Sequence, residues 1–322
     1  MIGRAPERAS TMRAIRIHRQ GGPEGLVYEE APRPSLARGD VLVRVHAAGI
    51  SPAEFTWSIW TTPDGRGRLP LIPGHEVSGV VAALGPGATS LAVGDEVYGL
   101  TDFWRDGAAA EYIAVRAADL APKPRTVDHV HAAATPLSAL TAWQALFEHG
   151  GLRAGQHVLI HGAAGGVGSF AVQLARWRGA QVSATVSTRN VTFVRDLGVD
   201  RVIDYTATRF EDAVRDVDLV LDPVGGDTRE RSWGVLRRGG ALVTIARPPS
   251  DDWAAGRGAR GVFFIVEPNR AHLGEIARLI DEGRVQSVVE AVYPLADARR
   301  AYERGRREAP RGKLVLRVAD ED

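Results

Sequence analysis

Cysteine is absent from the 322 residues. That excludes disulfides, thiolate nucleophiles and cysteine-ligated zinc, and permits a reducing cytoplasm, the expected compartment. Lysine is nearly as scarce: Lys123 and Lys313 are the only two in the chain. Both fall in loop or strand-edge contexts, so lysine-assisted catalysis is not expected. Charge of one sign is also lacking, because 40 basic and 39 acidic residues leave a formal charge of +1 and are spread along the chain. No electrostatic footprint therefore points to nucleic acid or to an anionic membrane. Arg306, Arg307 and Arg311 cluster, but Glu303 and Glu308 interrupt them, and the run reads as a solvated helix face. No apolar stretch approaches the ~18 to 20 residues of a membrane span. Met1 to Thr11 is polar, with Arg4 and Arg8 and no apolar centre, so it reads as a disordered extension (1–11) and not as a secretory signal.

What is present divides the chain in two. From Met12 to about Arg125, short alternating runs (13–18, 41–47, 77–83 and 111–115) are punctuated by glycine and proline, which predicts a compact all-β module. From Thr126 strands alternate with helices, the strands at 157–161, 181–186, 201–203, 217–221, 241–245 and 262–266. That alternation predicts a doubly wound parallel sheet. Within it, Val158 to Leu174 runs from an apolar strand through His161-Gly162-Ala163-Ala164-Gly165-Gly166-Val167-Gly168 into a helix. Gly162, Gly165 and Gly168 recur every third residue, a spacing that permits a tight turn, close approach of a diphosphate and close packing of helix on strand. The free NH groups of the helix N-terminus then face the phosphates. A helix at 270–282, then strand, helix and a last strand at 313–317, is expected to rejoin the first module, giving segments 12–125, 126–266 and 267–322.

Several dispersed motifs, in order, carry a resemblance. Gly21-Gly22-Pro23-Glu24, Ala48-Gly49-Ile50-Ser51-Pro52, Pro73-Gly74-His75-Glu76, Gly94-Asp95-Glu96-Val97-Tyr98-Gly99, Leu140-Thr141-Ala142-Trp143, the glycine turn and Arg311-Gly312-Lys313-Leu314-Val315 resemble the medium-chain dehydrogenase/reductase superfamily. The branch most similar is that of the zinc-independent quinone oxidoreductases. The resemblance implies an α/β protein: a GroES-like, β-rich catalytic domain plus a Rossmann domain that binds NADPH, frequently as a homodimer. It departs from the zinc alcohol dehydrogenases where Ser51 and the segment Ala134 to Leu137 stand in place of metal-ligating cysteines, and where no four-cysteine loop follows Gly94 to Val97. His75 and Glu76 remain from the family's catalytic-zinc region, but a catalytic zinc needs about three protein ligands. No metal is expected; His75 is read as pocket wall, with a role in orientation or proton relay left open.

The acid that would hold an NAD ribose should end the second strand, about 20 residues past the glycines. Val186-Ser187-Thr188-Arg189 stands there instead, so NADPH is favoured. Tyr205 matches a family position that helps hold the 2′-phosphate, or equally is a half-exposed tyrosine that follows a strand. Asp222, before Pro223, reads as a turn former. The cofactor contacts implied are Thr141, Gly162, Ala164, Gly165, Gly166, Val167, Gly168, Ser187, Thr188, Arg189, Tyr205, Val224 and Lys313. The acceptor pocket is expected from Trp57, Trp60, Phe263 and Phe264, with flat apolar surfaces for a ring. Ser51 is a candidate donor to the acceptor oxygen, or equally a cap on the turn that follows.

Without a Lewis acid an isolated ketone is a poor hydride acceptor, whereas a quinone or α,β-unsaturated carbonyl spreads the developing charge. The expected activity is therefore NADPH-dependent reduction of such conjugated acceptors. Two alternatives stand beside it: an enoyl-thioester or polyketide-type enoyl reductase, and an NADPH-binding structural or regulatory protein with negligible turnover. The run Val262 to Val266 is the expected edge for a homodimer.

Overall fold

The computed structural model describes residues 10–57, 59–248 and 252–320. Residues 1–9 of the expected extension lie outside the described residues, and Thr11 already opens the first strand. β1 (Thr11–Ile17) and β2 (Leu26–Pro32) form an antiparallel pair, followed by β3 (Asp40–Ile50), β4 (Glu76–Leu84), β5 (Glu96–Leu100), β6 (Tyr112–Arg116) and β7 (Leu120–Pro122). β3 is the spine of this part. It pairs antiparallel with β4 and β6, and ten of its eleven residues are buried, which is why it reads as an almost continuous apolar run.

Two helices, α1 (His129–Ala133) and α2 (Pro136–Trp143), lead into the nucleotide-binding part. There β8 (His157–Ile160), α3 (Gly166–Trp177), β9 (Gln181–Val186), α4 (Val191–Asp196), β10 (Arg201–Asp204), α5 (Phe210–Ala213), β11 (Val217–Asp222), α6 (Gly226–Ser232), β12 (Leu236–Thr244) and β13 (Arg260–Phe263) alternate. The six strands form one parallel sheet in the order β10-β9-β8-β11-β12-β13. Both faces are covered, and neighbouring residues take opposite sides. Val158, Ile160, Leu219, Leu221 and Val243 join one apolar core while Leu159, Val220 and Leu242 join the other. This is the period of two that a strand imposes, here with a helix layer on each side.

The chain then forms α7 (Arg270–Asp281), β14 (Val289–Pro294), α8 (Ala298–Arg307) and β15 (Lys313–Arg317). Asn269 caps α7 by accepting from the His272 amide at 3.0 Å, and Gly283 ends it with φ of +68°. α7 buries Leu273, Ile276, Leu279 and Ile280 in a core that both parts share, lying against β7 with the Tyr98 hydroxyl donating to Leu273 O at 2.6 Å, and the chain re-enters the first sheet at β14. β15 lies between β14 and β3. The last strand is thereby internal, and it brings Gly312 to a parallel bridge with Gly165, with the Gly312 amide donating to Ala164 O at 2.8 Å. Two glutamines fasten the parts further: Gln144 exchanges both amide bonds with Glu267 (2.8 and 3.1 Å), and Gln173 does so with Gln286 (3.0 and 2.9 Å).

Candidate active site

The glycine turn supplies one wall. Gly162 sits at φ +59°, a conformation open to glycine, and Gly165 precedes α3 as its cap. A methyl group built on Gly168 would lie 2.4 Å from Gly162 O and 2.6 Å from Ala163 Cα, so the helix can approach the strand only with glycine there. At Gly165 the same methyl would meet nothing nearer than Gly162 O at 3.5 Å. The close contact belongs to helix packing at Gly168, whereas the open face at Gly165 leaves room for a diphosphate at the helix N-terminus. Ala164 is buried, Gly166 and Val167 are half-buried, and Thr141 turns its hydroxyl back to Leu137 O at 2.6 Å. Val224 is exposed beside this cleft, its amide held at 3.0 Å by Asp222, whose carboxylate also takes the Gly225 amide and the Thr244 hydroxyl. Asp222 is thus a turn former, as its place before Pro223 suggested.

At the end of β9, Ser187, Thr188 and Arg189 lie in a turn whose exposed side carries Thr188 and Arg189. Arg189 donates to Ala309 O at 2.7 Å, while Arg311 donates to Arg189 O at 2.6 Å and to Asn190 Oδ1 at 2.8 Å. Arg311 is a cationic neighbour that sequence reasoning placed on a solvated helix face. It lies beyond α8, on the segment that carries Gly312 into the glycine turn. Tyr205 is exposed at the same end. Asp204 is opposite Val186 in register, a carboxylate not anticipated there, and its pKa is lowered by hydrogen bonds from Thr188 and Thr206.

The opposite wall comes from the end of β3 and the 3-10 turn Pro52–Thr56. Ser51 is the cap residue of that turn, yet its side chain makes no capping bond. Its Oγ instead receives Lys313 Nζ at 3.2 Å. Lys313 is 5% exposed, and it also pairs with Glu76, whose other oxygen accepts the Leu137 amide at 3.0 Å. The strand-edge placement expected of Lys313 is corrected: β15 is internal to its sheet, and its first side chain is buried, where it requires a charged partner. Burial raises the Glu76 carboxyl above the ordinary carboxylate range, opposed by Lys313 and by amide donors. A methyl on Gly166 would fall 3.1 Å from Lys313 Cδ, so the lysine stem runs along the cofactor turn.

His75, at the head of β4, is 3% exposed. Its Nδ1 faces Thr101 Oγ1 at 3.2 Å, and Nε2 is buried without a hydrogen-bond partner among the described residues. Burial, assisted by the Arg68 charge, pushes its pKa down to about 3, so the imidazole is neutral. Trp57 and Phe103 enclose it, with ring centroids 6.4 and 5.1 Å away. Trp57 and Trp60, with Gln20, Phe55, Thr56 and Thr61, line a cavity of about 360 Å³ that carries no charged side chain. Arg68 beside it is committed to the carbonyls of Ile59, Phe103 and Arg105. Beneath the turn, Glu54 is 1% exposed and burial pushes its pKa up to about 7, against the Gly74 amide that donates to it at 3.2 Å. Tyr302 faces Glu54 from α8, with its hydroxyl buried and making no hydrogen bond of good geometry.

The two phenylalanines expected in the acceptor pocket lie at the end of β13 and just beyond it. β13 stops at Phe263, which is half-buried in pairing with Thr244. Phe264 follows with its ring 4.3 Å from that of His149, inside the nucleotide-binding core. The residues do not fit a metal: Ser51 replaces a ligand, Glu76 is tied to Lys313, and the described residues hold no group of three or more His, Cys, Asp or Glu placed for one.

Comparison with known proteins agrees with this geometry. A model of the alcohol dehydrogenase GroES-like domain matches residues 37–125, and one described as zinc-binding dehydrogenase matches 197–316. The chain is 33% identical to a probable zinc-binding oxidoreductase, mitochondrial, of Arthroderma benhamiae, over 89% of this chain and 91% of that one. It is 33% identical to 2-methylene-furan-3-one reductase of Solanum lycopersicum, over 88% and 73%. The solved quinone oxidoreductase of Coxiella burnetii superposes with a TM-score of 0.87 at 31% identity, covering 96% of this chain and all of that one. No described helix is long and apolar enough to cross a membrane. The glycine turn, the returning last strand and these relatives together make the chain a nicotinamide-dependent oxidoreductase that belongs to the medium-chain dehydrogenase/reductase superfamily, in its quinone oxidoreductase-like branch.

Proposed function

We propose that the chain is an NADPH-dependent, zinc-independent reductase of quinones and other α,β-unsaturated carbonyls. The observation that carries this reading is the Ser51, Lys313 and Glu76 arrangement, in which the carboxylate that follows His75 in sequence is paired with a lysine, and a hydroxyl stands at the position that the family resemblance assigns to a metal-ligating cysteine. With no Lewis acid to polarise an isolated carbonyl, the acceptor must delocalise the charge itself. The bound nicotinamide supplies the hydride. Ser51 donates to the acceptor oxygen; Trp57 and Trp60 hold the acceptor ring; His75, neutral and walled by aromatics, excludes water. Arg189 and Arg311 support the preference for NADPH, since both can reach a 2′-phosphate at the Ser187 turn while Asp204 is occupied by its threonines. The residues that line the cavity, Gln20, Phe55, Thr56, Trp57, Trp60 and Thr61, carry no charge, which suits an uncharged acceptor better than an enoyl-thioester carrying phosphates.

NADPH oxidation with a panel of quinones and enones, by protein with its zinc content measured, tests the reading. Turnover of conjugated acceptors without stoichiometric zinc is expected. Turnover of saturated ketones by a one-zinc protein overturns it, and NADPH binding with no turnover returns the chain to a structural or regulatory role. The same reading includes a homodimer through residues 262–266, supported by β13 being the last strand of its sheet and by Ile265 being 67% exposed. Light scattering that gives the mass of one chain at micromolar concentration removes the dimer.

A further inference from the structure

We propose that Lys313 is a positioning residue that turns Ser51 into an oxyanion donor, by filling the acceptor lone pair of the serine so that its hydroxyl proton is directed into the cleft. The inference rests on the reductase reading above and assigns a role to a residue outside the catalytic loop. Ser51 lies where a serine ordinarily caps a turn, with its oxygen accepting backbone NH groups. Here no such bond forms, and the one hydrogen bond of the side chain among the described residues comes from Lys313 at 3.2 Å. A hydroxyl has one proton to give. Accepting from a charged donor polarises the O–H, and because Lys313 Nζ has no lone pair to offer when protonated, the serine proton must point elsewhere. Ser51 is half-buried, Lys313 is buried behind it, and no acceptor within the described residues takes the proton. The direction left open is the partly exposed side of Ser51, away from Lys313.

The lysine is itself fixed. Glu76 holds its Nζ, the Leu137 amide holds Glu76, and the bridge between Gly165 and Gly312 holds the backbone that precedes it. A methyl on Gly49 would lie 2.8 Å from Glu76 Oε2 and 2.5 Å from Ala133 O, so glycine before Ile50 is what lets the carboxylate reach its place. Donors fixed before reaction are the ones that stabilise developing charge without reorganisation. Lys313 touches Ser51 and Glu76, not the acceptor, and its effect passes through the serine.

The probe is 4-nitrophenol, whose ionised form mimics an enolate oxygen and is read by its visible absorbance, with NADP⁺ added and no turnover involved. Wild type is expected to favour the phenolate by about tenfold over Ser51→Ala, a shift of about one unit in the apparent pKa of the dye. Lys313→Met alone strands Glu76 in the interior, so the working variant is Lys313→Met with Glu76→Gln; it should lose the same preference, and adding Ser51→Ala to it should change nothing further. Ser51→Thr should retain the shift. A phenolate preference that survives in the Lys313→Met, Glu76→Gln variant overturns the proposal, as does one in wild type that survives Ser51→Ala, or none in wild type at all. Failure of every quinone and enone as acceptor, with the dye result as expected, counts against the reductase reading and leaves the lysine–serine pair standing.

Discussion

The glycine turn and the Ser51 wall meet at a single backbone bridge, Gly165 to Gly312, yet the chain encodes them differently. The turn is local: one strand, three glycines and one helix within the 17 residues from Val158 to Leu174, with Gly162 at positive φ, Gly165 open and Gly168 pressed on Gly162 and Ala163. The wall is assembled from positions 51, 76 and 313, whose partners are 237 and 262 residues apart in sequence. Local encoding makes a region readable and intolerant of substitution by size. Long-range encoding makes it sensitive to charge balance, because each buried group relies on a partner that no pattern announces.

The largest effect should come from size in the turn. Gly168→Leu must displace α3 from Gly162 and Ala163, and titration should show both NADPH and NADH weakened by about 100-fold or more, with the fold destabilised. Normal affinity in this variant would mean that the turn does not hold the diphosphate. Next in size is the adenosine end. Arg189→Ala and Arg311→Ala should each weaken NADPH by about 10- to 100-fold, the worth of one charge-assisted contact, and leave NADH within about threefold. Equal affinity of wild type for the two cofactors would sink the NADPH assignment.

How much of each region the sequence discloses follows from the same contrast. The β9 and β15 spans and the start of α7 follow directly from apolar periodicity and caps. β13 was shifted because the apolar run 262–266 is half strand and half core-filling loop, and periodicity cannot tell a residue that pairs from one that plugs. Lys313 is legible in the sequence as a cofactor contact implied by the resemblance but not as a partner of Ser51 and Glu76: its apparent strand-edge context hides that an internal strand brings it against Glu76. The one available signal was the pairing of a lone lysine with a buried-looking Glu after His75. Arg311 was hidden for a similar reason, since two helix-face arginines precede it.

Charge balance in the wall gives a smaller effect, confined to a pH window. The Glu54 carboxyl titrates near 4.5 when unfolded and near 7 when folded, so the folded state holds the extra proton between them and stability falls as pH rises across that window. Glu54→Gln should remove this loss. Its thermal stability relative to wild type should rise from pH 4.5 to 7, with a gain on the order of 3 kcal/mol at pH 8; a pH-independent difference would show that Glu54 is not the titrating group. The smallest effect concerns His75. Held neutral down to about 3, it should contribute no inflection near 6.5 to the pH profile of turnover, and His75→Asn should leave the shape of that profile unchanged while its amplitude falls by a few-fold. A basic shift of an existing inflection on His75→Asn would identify the histidine as a proton carrier after all.

The proposed metal-free reduction differs from zinc-assisted reduction in where the hydride lands. Chelator-treated protein incubated with NADPH deuterated at C4 and a cyclic enone, with the product read by NMR, tests this directly. The account predicts one deuterium on the β carbon and a saturated ketone as product, at a rate indifferent to added zinc. Deuterium on the carbonyl carbon, giving the allylic alcohol only when zinc is restored, would contradict it.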